Sequence, residues 1–533
     1  MRRNPVISPR IFFSLVLLCG IAGTAFGQRN PNRTTVVGDS EMNDNLRQFA
    51  EVYSLVEENY ADPVDPSKTI YEGAIPGMLH VLDPHSNFFN IKSYSSYREE
   101  EQGKYQGVGM VIGPRNDKMI VIAPLSGTPA YRAGIRPGDI ILGVDGKSVT
   151  NMDSNQVSDL LKGPKGTQVV ITVAREGSEH PLEFRVVREE IPRNSVDLSF
   201  EISPGVGYIH LNGFHETTTR EIAAALERFG DLKGLVFDLR GNPGGLLNEA
   251  VGVADKFLRK GSVIVSQRGR ALPTQVYYAK QGNQGKEYPL VVLVDRGTAS
   301  AAEIVAGAIQ DHDRGLILGE TSFGKGLVQS VFTLSESTGL ALTTGRYYTP
   351  SGRLIQRDYN GLSLYDYYYS RGTEPRDEKA REVRITDGGR TVYGGGGITP
   401  DEKVETPKLD HMQEQLLTHY AFFNFAKHYL LNKHITKDFQ VTDDVMKEFH
   451  SFLIDEKVPY TESELQHQQN WTKAEIKGEL FTAEFGQQEG LKAHTETDPM
   501  IQKALGLLPQ AKQIAENARH YSAQKMKDHE TNP

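Results

Sequence analysis

A serine followed 25 residues later by a lysine, both set among small residues, is the sharpest chemical signal in this 533-residue chain. Ser300 stands in Gly297-Thr298-Ala299-Ser300-Ala301-Ala302-Glu303. An apolar run, Leu290–Asp295, reads as a buried strand before it, and a helix is predicted over Ala301–Asp311 after it. A serine at that place sits among the free N–H groups of a helix N-terminus. Those groups and the helix dipole favour the oxyanion of an acyl-transfer intermediate. Taken alone, the fragment is better explained by the commoner role of serine as a helix N-cap.

Lys325 lies in Phe323-Gly324-Lys325-Gly326, where glycines permit a tight backbone and the close approach of another element. A lysine serves as general base only when burial or neighbouring charge lowers its pKa, and a serine–lysine pair is a variant of triad logic. By itself Lys325 fits a solvated loop lysine. Gln329 follows four residues on. In a helical turn its amide would lie beside Lys325, whereas along an extended strand the two would be about 13 Å apart. Support of the lysine by Gln329 therefore calls for a turn. A third element, Asp238-Leu239-Arg240-Gly241-Asn242-Pro243-Gly244-Gly245, leaves one buried strand and enters a helix at Leu246. Gly244 and Gly245 could point N–H groups at an oxyanion opposite that of Ala301, or merely form the turn.

The elements that must position these groups alternate. Val206–Phe214, Lys233–Leu239, Leu290–Asp295 and Gly315–Gly319 read as strands, with helices over Thr218–Phe229, Leu246–Leu258 and Ala301–Asp311. Leu327–Leu334 and Leu340–Thr344 follow as extended segments, and the whole is an α/β pattern. Before it, 106–190 is all short strands and turns: Met119–Ala123, Asp139–Val144 and Gln168–Ala174 with a hairpin at Asp145-Gly146. Asp153 there is suited to cap a short helix. Leu46, Phe49, Val52, Tyr53 and Val56 mark an N-terminal helix, part of a helical region over 28–105. Segment 357–393 is rich in Tyr, Gly and charge and poor in aliphatics, so it reads as an exposed insertion, and 406–533 as a helical extension with an apolar face around Leu416, Phe422, Phe423, Phe425 and Leu430.

Taken together, DLRGNPGG (238–245), GTASAAEIVAGAIQD (297–311), GETSFGKGLVQ (319–329) and GRYYTPSGRLIQ (345–356) resemble the C-terminal processing peptidases, or tail-specific proteases. ENYADPVD (58–65), LDPHSNFF (82–89) and GGGGITPD (394–401) are similar to further parts of that family. The resemblance implies a crotonase/ClpP-like α/β protease core over 191–356, rejoined at 394–405, with an inserted PDZ domain over 106–190. It implies Ser300 as nucleophile, Lys325 as base, Gln329 as its support, and Ala301 with Gly244 or Gly245 as oxyanion donors. Gly107, Val108, Gly109 and Met110 resemble the PDZ carboxylate-binding loop, in which an extended tail adds as a strand. Two departures stand out: the family core runs directly from YYTPSGR to GITPD without 357–393, and 406–533 lies outside the matching motifs.

Composition narrows the setting. Arg2, Arg3 and Arg10 precede a short apolar run, and Ala25 and Gly27 place a cleavage site before Gln28, the order of a secretory signal peptide over 1–27. Lipidation at Cys19 is disfavoured by the bulky Leu18 before it. Cys19 is the single cysteine, which excludes disulfides and cysteine-protease chemistry in a cleaved chain. A net charge of −9 without a basic block argues against nucleic acid. His411, His419, His428 and His434 lack metal-pair spacing. The expectation is an exported, periplasmic serine endopeptidase needing no cofactor and no metal. It would act on proteins with accessible C-termini; self-assembly, an adaptor protein and membrane association stay open. A catalytically silent PDZ scaffold and a crotonase-like acyl-CoA enzyme are the rival readings.

Overall fold

The computed structural model describes residues 39–531 apart from 116, 272, 335–336, 370–381 and 406. The signal peptide expected over 1–27 lies outside them. The chain divides into two units, 1–73 and 74–533. In the first, the helix Asp39–Asn59 carries Leu46, Phe49, Val52 and Val56 at the expected spacing, and all four are exposed.

The second unit is organised by a six-stranded sheet in the order Val196–Ser203, Val206–Leu211, Gly234–Asp238, Leu290–Val294, Leu316–Gly319, Glu402–Lys403. The first pair is antiparallel and the others parallel. The three inner strands from Gly234 to Gly319 are buried at every position, as parallel strands covered on both faces must be. Alternate residues sort to the two faces. Leu235, Phe237, Val292 and Ile317 meet Ile222, Ala250 and Val305 of three helices. Val236, Val291, Leu293 and Leu318 meet Met500, Ile501, Ala504 and Leu508 of the chain's last helix, Pro499–Thr531. The C-terminal extension is thus one wall of the core. The rest of it packs helices around Leu416, Phe422, Phe425, Phe449 and Leu480.

A second sheet pairs Gly339–Tyr348 with Leu327–Thr333, with Val263–Arg268 and with the short strand Asn87–Phe89. That last strand differs from the wholly helical region expected over 28–105. It ties the LDPHSNFF motif to the strand beside Gln329. The 106–190 domain enters and leaves side by side, because Lys104–Gly107 pairs antiparallel with Glu189–Pro192. Its hairpin turns through Asp145 and Gly146, both at positive φ. Its helix Ser154–Leu161 is capped by Asp153, whose side chain accepts from Gln156 N.

The described part of 357–393 is mostly exposed, but a few of its side chains are buried. In its described part Tyr367, on the helix Leu364–Tyr369, is 1% exposed and Val392 is 3% exposed. Aromatic rings replace the missing aliphatics: Tyr367 sits edge-on to Phe323 at 5.5 Å, and the Arg357 guanidinium lies 4.6 Å from the Tyr367 ring.

Candidate active site

The strand Leu290–Val294 ends in a turn held by the Asp295 carboxylate, whose Oδ1 accepts from Gly297 N, Thr298 N and Gly241 N at 2.8–3.0 Å. Thr298 Oγ1 donates to Leu239 O at 2.8 Å, and Ala299 N donates to Asn242 O at 2.9 Å. These bonds lash the Ser300 turn to the 238–245 loop. Ser300 then takes φ +54° and ψ −114°, a conformation a non-glycine residue holds only at a cost of about 1–3 kcal/mol. The helix Ala301–Asp311, buried throughout, starts immediately after it.

Gly244 and Gly245 lie against this turn at φ +97° and +141°. A Cβ on Gly244 would stand 2.8 Å from Ser300 Cβ and 2.9 Å from Ala301 N. The Gly244 N–H is already committed to Asn242 Oδ1 at 2.8 Å. Among the described residues, the N–H groups of Ala301 and Gly245 have no hydrogen-bond partner. Of the two glycines, Gly245 therefore has the free donor, and Gly244 provides the room. Asn242, fully buried and anchored to Leu211 O at 2.7 Å, fixes the loop, a role the sequence did not reveal.

Glu303 is the residue whose role the sequence understated. Its carboxylate is fully buried, and burial raises its pKa against the hydrogen bonds that lower it. Oε2 accepts from Ser300 N and Lys325 N, each at 2.8 Å; Oε1 accepts from Ser322 Oγ at 2.5 Å and Gly324 N at 2.7 Å. Two N–H groups on one oxygen hold the Ser300 and Lys325 backbone nitrogens within roughly 6 Å of each other. In Glu303→Gln the amide nitrogen cannot accept, so two of the four donors lose their partner. We expect a stability loss of about 2–6 kcal/mol, at about 1–3 kcal/mol per unpaired buried group, readable by urea denaturation.

Lys325 precedes the strand Leu327–Thr333. Its Nζ donates to Gln329 Oε1 at 3.1 Å, and Gln329 Nε2 donates to His85 O at 2.5 Å. No helical turn is involved. Only Gln329 lies in the extended strand, a bulge separates it from Val328, and the two long side chains close the remaining gap. Among the described residues Lys325 Nζ and Ser300 Oγ do not hydrogen-bond. Burial lowers the lysine pKa, while Glu303 and Asp83 oppose the shift. His85 owes its place to Asp83, whose Oδ1 accepts from His85 N and Ser86 N at 2.8 Å.

In the 106–190 domain, Gly107 closes one strand and Met110 opens another, Met110–Arg115, at the end of its sheet. Between them Val108 is buried, with its carbonyl accepting from Ala130 N at 2.8 Å, and Gly109 turns at φ +77°. The helix Ser154–Leu161 packs beside the terminal strand. The domain thus presents a strand edge with a helix beside it and a glycine loop at the start of that strand.

Known proteins share these parts. Peptidase family S41 matches over residues 205–362 and a PDZ domain over 120–175. The activating protease CtpB N-terminal domain matches over 24–93, and the C-terminal helical domain of a probable PDZ-protease over 412–464, inside the extension that the sequence motifs did not cover. A carboxy-terminal-processing protease of Bartonella bacilliformis is 41% identical over 318 residues, spanning 58% of this chain and 72% of its own. The carboxy-terminal processing protease CtpB of Bacillus subtilis is 33% identical over 61% of this chain and 68% of its own. The carboxyl-terminal-processing protease of Synechocystis is 38% identical over 53% and 68%. The chain belongs to the carboxy-terminal processing serine proteases of peptidase family S41, with a PDZ domain inserted in its α/β protease.

Proposed function

We propose that this protease cleaves exported proteins chosen by their C-terminal tails, with Ser300 as nucleophile and Lys325 as general base. The observation that carries the reading is the Glu303 carboxylate, which holds the backbone nitrogens of the strained serine and of the half-buried lysine to one point. A neutral Lys325 that gives one N–H to Gln329 keeps its lone pair for the Ser300 proton. Ser300 Oγ attacks the peptide carbonyl while Ala301 N–H and Gly245 N–H take the oxyanion. The lysine returns the proton to the leaving amine, and water then releases the acyl group by the same route. Because only the unprotonated amine accepts, activity rises with pH through the lowered lysine pKa.

The tail adds as a strand along Met110–Arg115, and its carboxylate sits at Gly107–Met110. The core is of the crotonase/ClpP-like kind. The leader over residues 1–27 sends the protein out of the cytoplasm, which also disfavours an acyl-CoA substrate.

Cleavage of a protein with a free C-terminus and of the same protein amidated there tests the tail reading. We expect amidation to raise KM by about tenfold or more, since a buried carboxylate contact is worth about 1.5–3 kcal/mol, and Ser300→Ala to end cleavage of both. Equal KM values would contradict tail selection; cleavage by Ser300→Ala would leave the silent-scaffold reading and the serine reading both in error.

A further inference from the structure

Beyond the residues that act on substrate, one closed circuit of hydrogen bonds surrounds the lysine. Lys325 Nζ donates to Gln329 Oε1, and Gln329 Nε2 to His85 O. The His85 ring nitrogen Nε2 meets Tyr367 OH at 2.9 Å. Gln356 Nε2 donates to that same hydroxyl at 3.2 Å, while Gln356 Oε1 accepts from Gly326 N at 2.8 Å, next to Lys325. Tyr367 thus closes the circuit, and it comes from the 357–393 segment that departs from the family pattern.

The donors and acceptors admit one consistent assignment. Gln356 gives its amide hydrogen to Tyr367 OH; because Tyr368 OH spends its own hydrogen on Pro84 O, every contact is made only when His85 Nδ1 carries the ring proton and Tyr367 OH donates to His85 Nε2. His85 Nδ1–H then faces Tyr368 OH at 3.2 Å, and Tyr368 OH donates to Pro84 O at 2.9 Å. The assignment needs a neutral imidazole. Burial, aided by Lys325, lowers the His85 pKa to about 4, with Asp83 opposing and Arg357 assisting. Packing holds the Leu364–Tyr369 helix in place: the Tyr367 and Tyr368 rings contact Phe323, two residues from the lysine, and Arg357 Nη2 donates to Tyr367 O.

We propose that Tyr367 is a positioning residue for the general base: its hydroxyl fixes His85, whose carbonyl fixes Gln329, and its ring packs on Phe323, two residues from Lys325, as part of the cover over that stretch. The inference rests on the Ser300–Lys325 reading. The charged groups that face the lysine, Glu303 and Asp83, are supplied by other elements and stay in place when Tyr367 is changed. Loss of the ring therefore acts through desolvation. Water entering raises the lysine pKa towards its ordinary value, and the rising limb of the pH–kcat profile moves to higher pH.

The test is the pH–kcat profile of the full chain on a tailed protein substrate for wild type, Tyr367→Phe, Tyr367→Ala and, as a control on the exposed neighbour, Tyr365→Ala. Tyr367→Phe keeps the ring and loses the hydroxyl. It should lower kcat roughly fivefold, the worth of one neutral hydrogen bond, with KM held within about twofold. Tyr367→Ala should also move the rising limb alkaline by about half a pH unit or more, and Tyr365→Ala should match wild type. Profiles of both Tyr367 variants that coincide with wild type, or a drop in melting temperature alone, would overturn the proposal. If Tyr367→Ala fails to fold, Tyr367→Phe decides. A wild-type profile without a rising limb would instead overturn the lysine as base, and Tyr367's role with it.

Discussion

Lys325→Met should lower kcat by about 10²–10⁴-fold, the range removed with a general base, while the melting temperature stays unchanged or rises. The two outcomes separate function from scaffold. The lysine amine meets a neutral amide, not a carboxylate, so in its charged form it is desolvated without an ion-pair partner. Replacing such a group by an apolar chain of similar length removes that penalty. Gln329 then loses one donor but keeps its own bond to His85 O. A variant that is both inactive and markedly less stable would mean that Lys325 is a structural residue. Thermal unfolding measured beside steady-state cleavage checks both halves.

Gly244→Ala should be nearly as damaging for a different reason. At φ +97° an L side chain is strained whatever the space around it, costing about 1–3 kcal/mol. The space is also closed: the new methyl would stand 2.8 Å from Ser300 Cβ, 2.8 Å from Ala299 O and 2.9 Å from Ala301 N. Relief requires the 238–245 loop to part from the serine turn, which carries the Gly245 N–H away from the Ala301 N–H. Loss of one oxyanion donor lowers kcat by about 10²–10³-fold. We therefore expect that fall with KM little changed, since the strand edge proposed to take the tail lies in another domain. A near-wild-type kcat would show that the two N–H groups do not share an oxyanion. Steady-state kinetics of the folded variant decides.

The central α/β pattern was legible because buried parallel strands are written as unbroken apolar runs. Leu290–Val294 and the helix Ala301–Asp311 coincide with expectation to within a residue. Strands with one wet face were harder. Met110–Arg115 contains Gly113 and Pro114, and Leu182–Val187 alternates with Glu183 and Arg185, so neither stood out. The contact between Lys325 and Gln329 escaped the choice between turn and strand because a bulge offers a third path. Glu303 looked like a helix-start carboxylate; that it also caps a loop 22 residues away depends on tertiary packing, which spacing does not encode. Tyr367 was hidden by composition, since a segment rich in Tyr, Gly and charge and poor in aliphatics reads as surface, and its burial rests on aromatic and guanidinium packing. The last helix, Pro499–Thr531, has a polar sequence whose few apolar residues suffice to cover one sheet face.

Acylation of the enzyme, followed by mass spectrometry in a single turnover with a peptide ester, addresses the central claim most directly. The account predicts one acyl group on Ser300, formed at a rate that climbs with pH to a plateau below the ordinary lysine pKa and is slowed in Lys325→Met. An acyl group on any other residue, or a rate on Ser300 indifferent to pH and to the loss of the lysine, would contradict it.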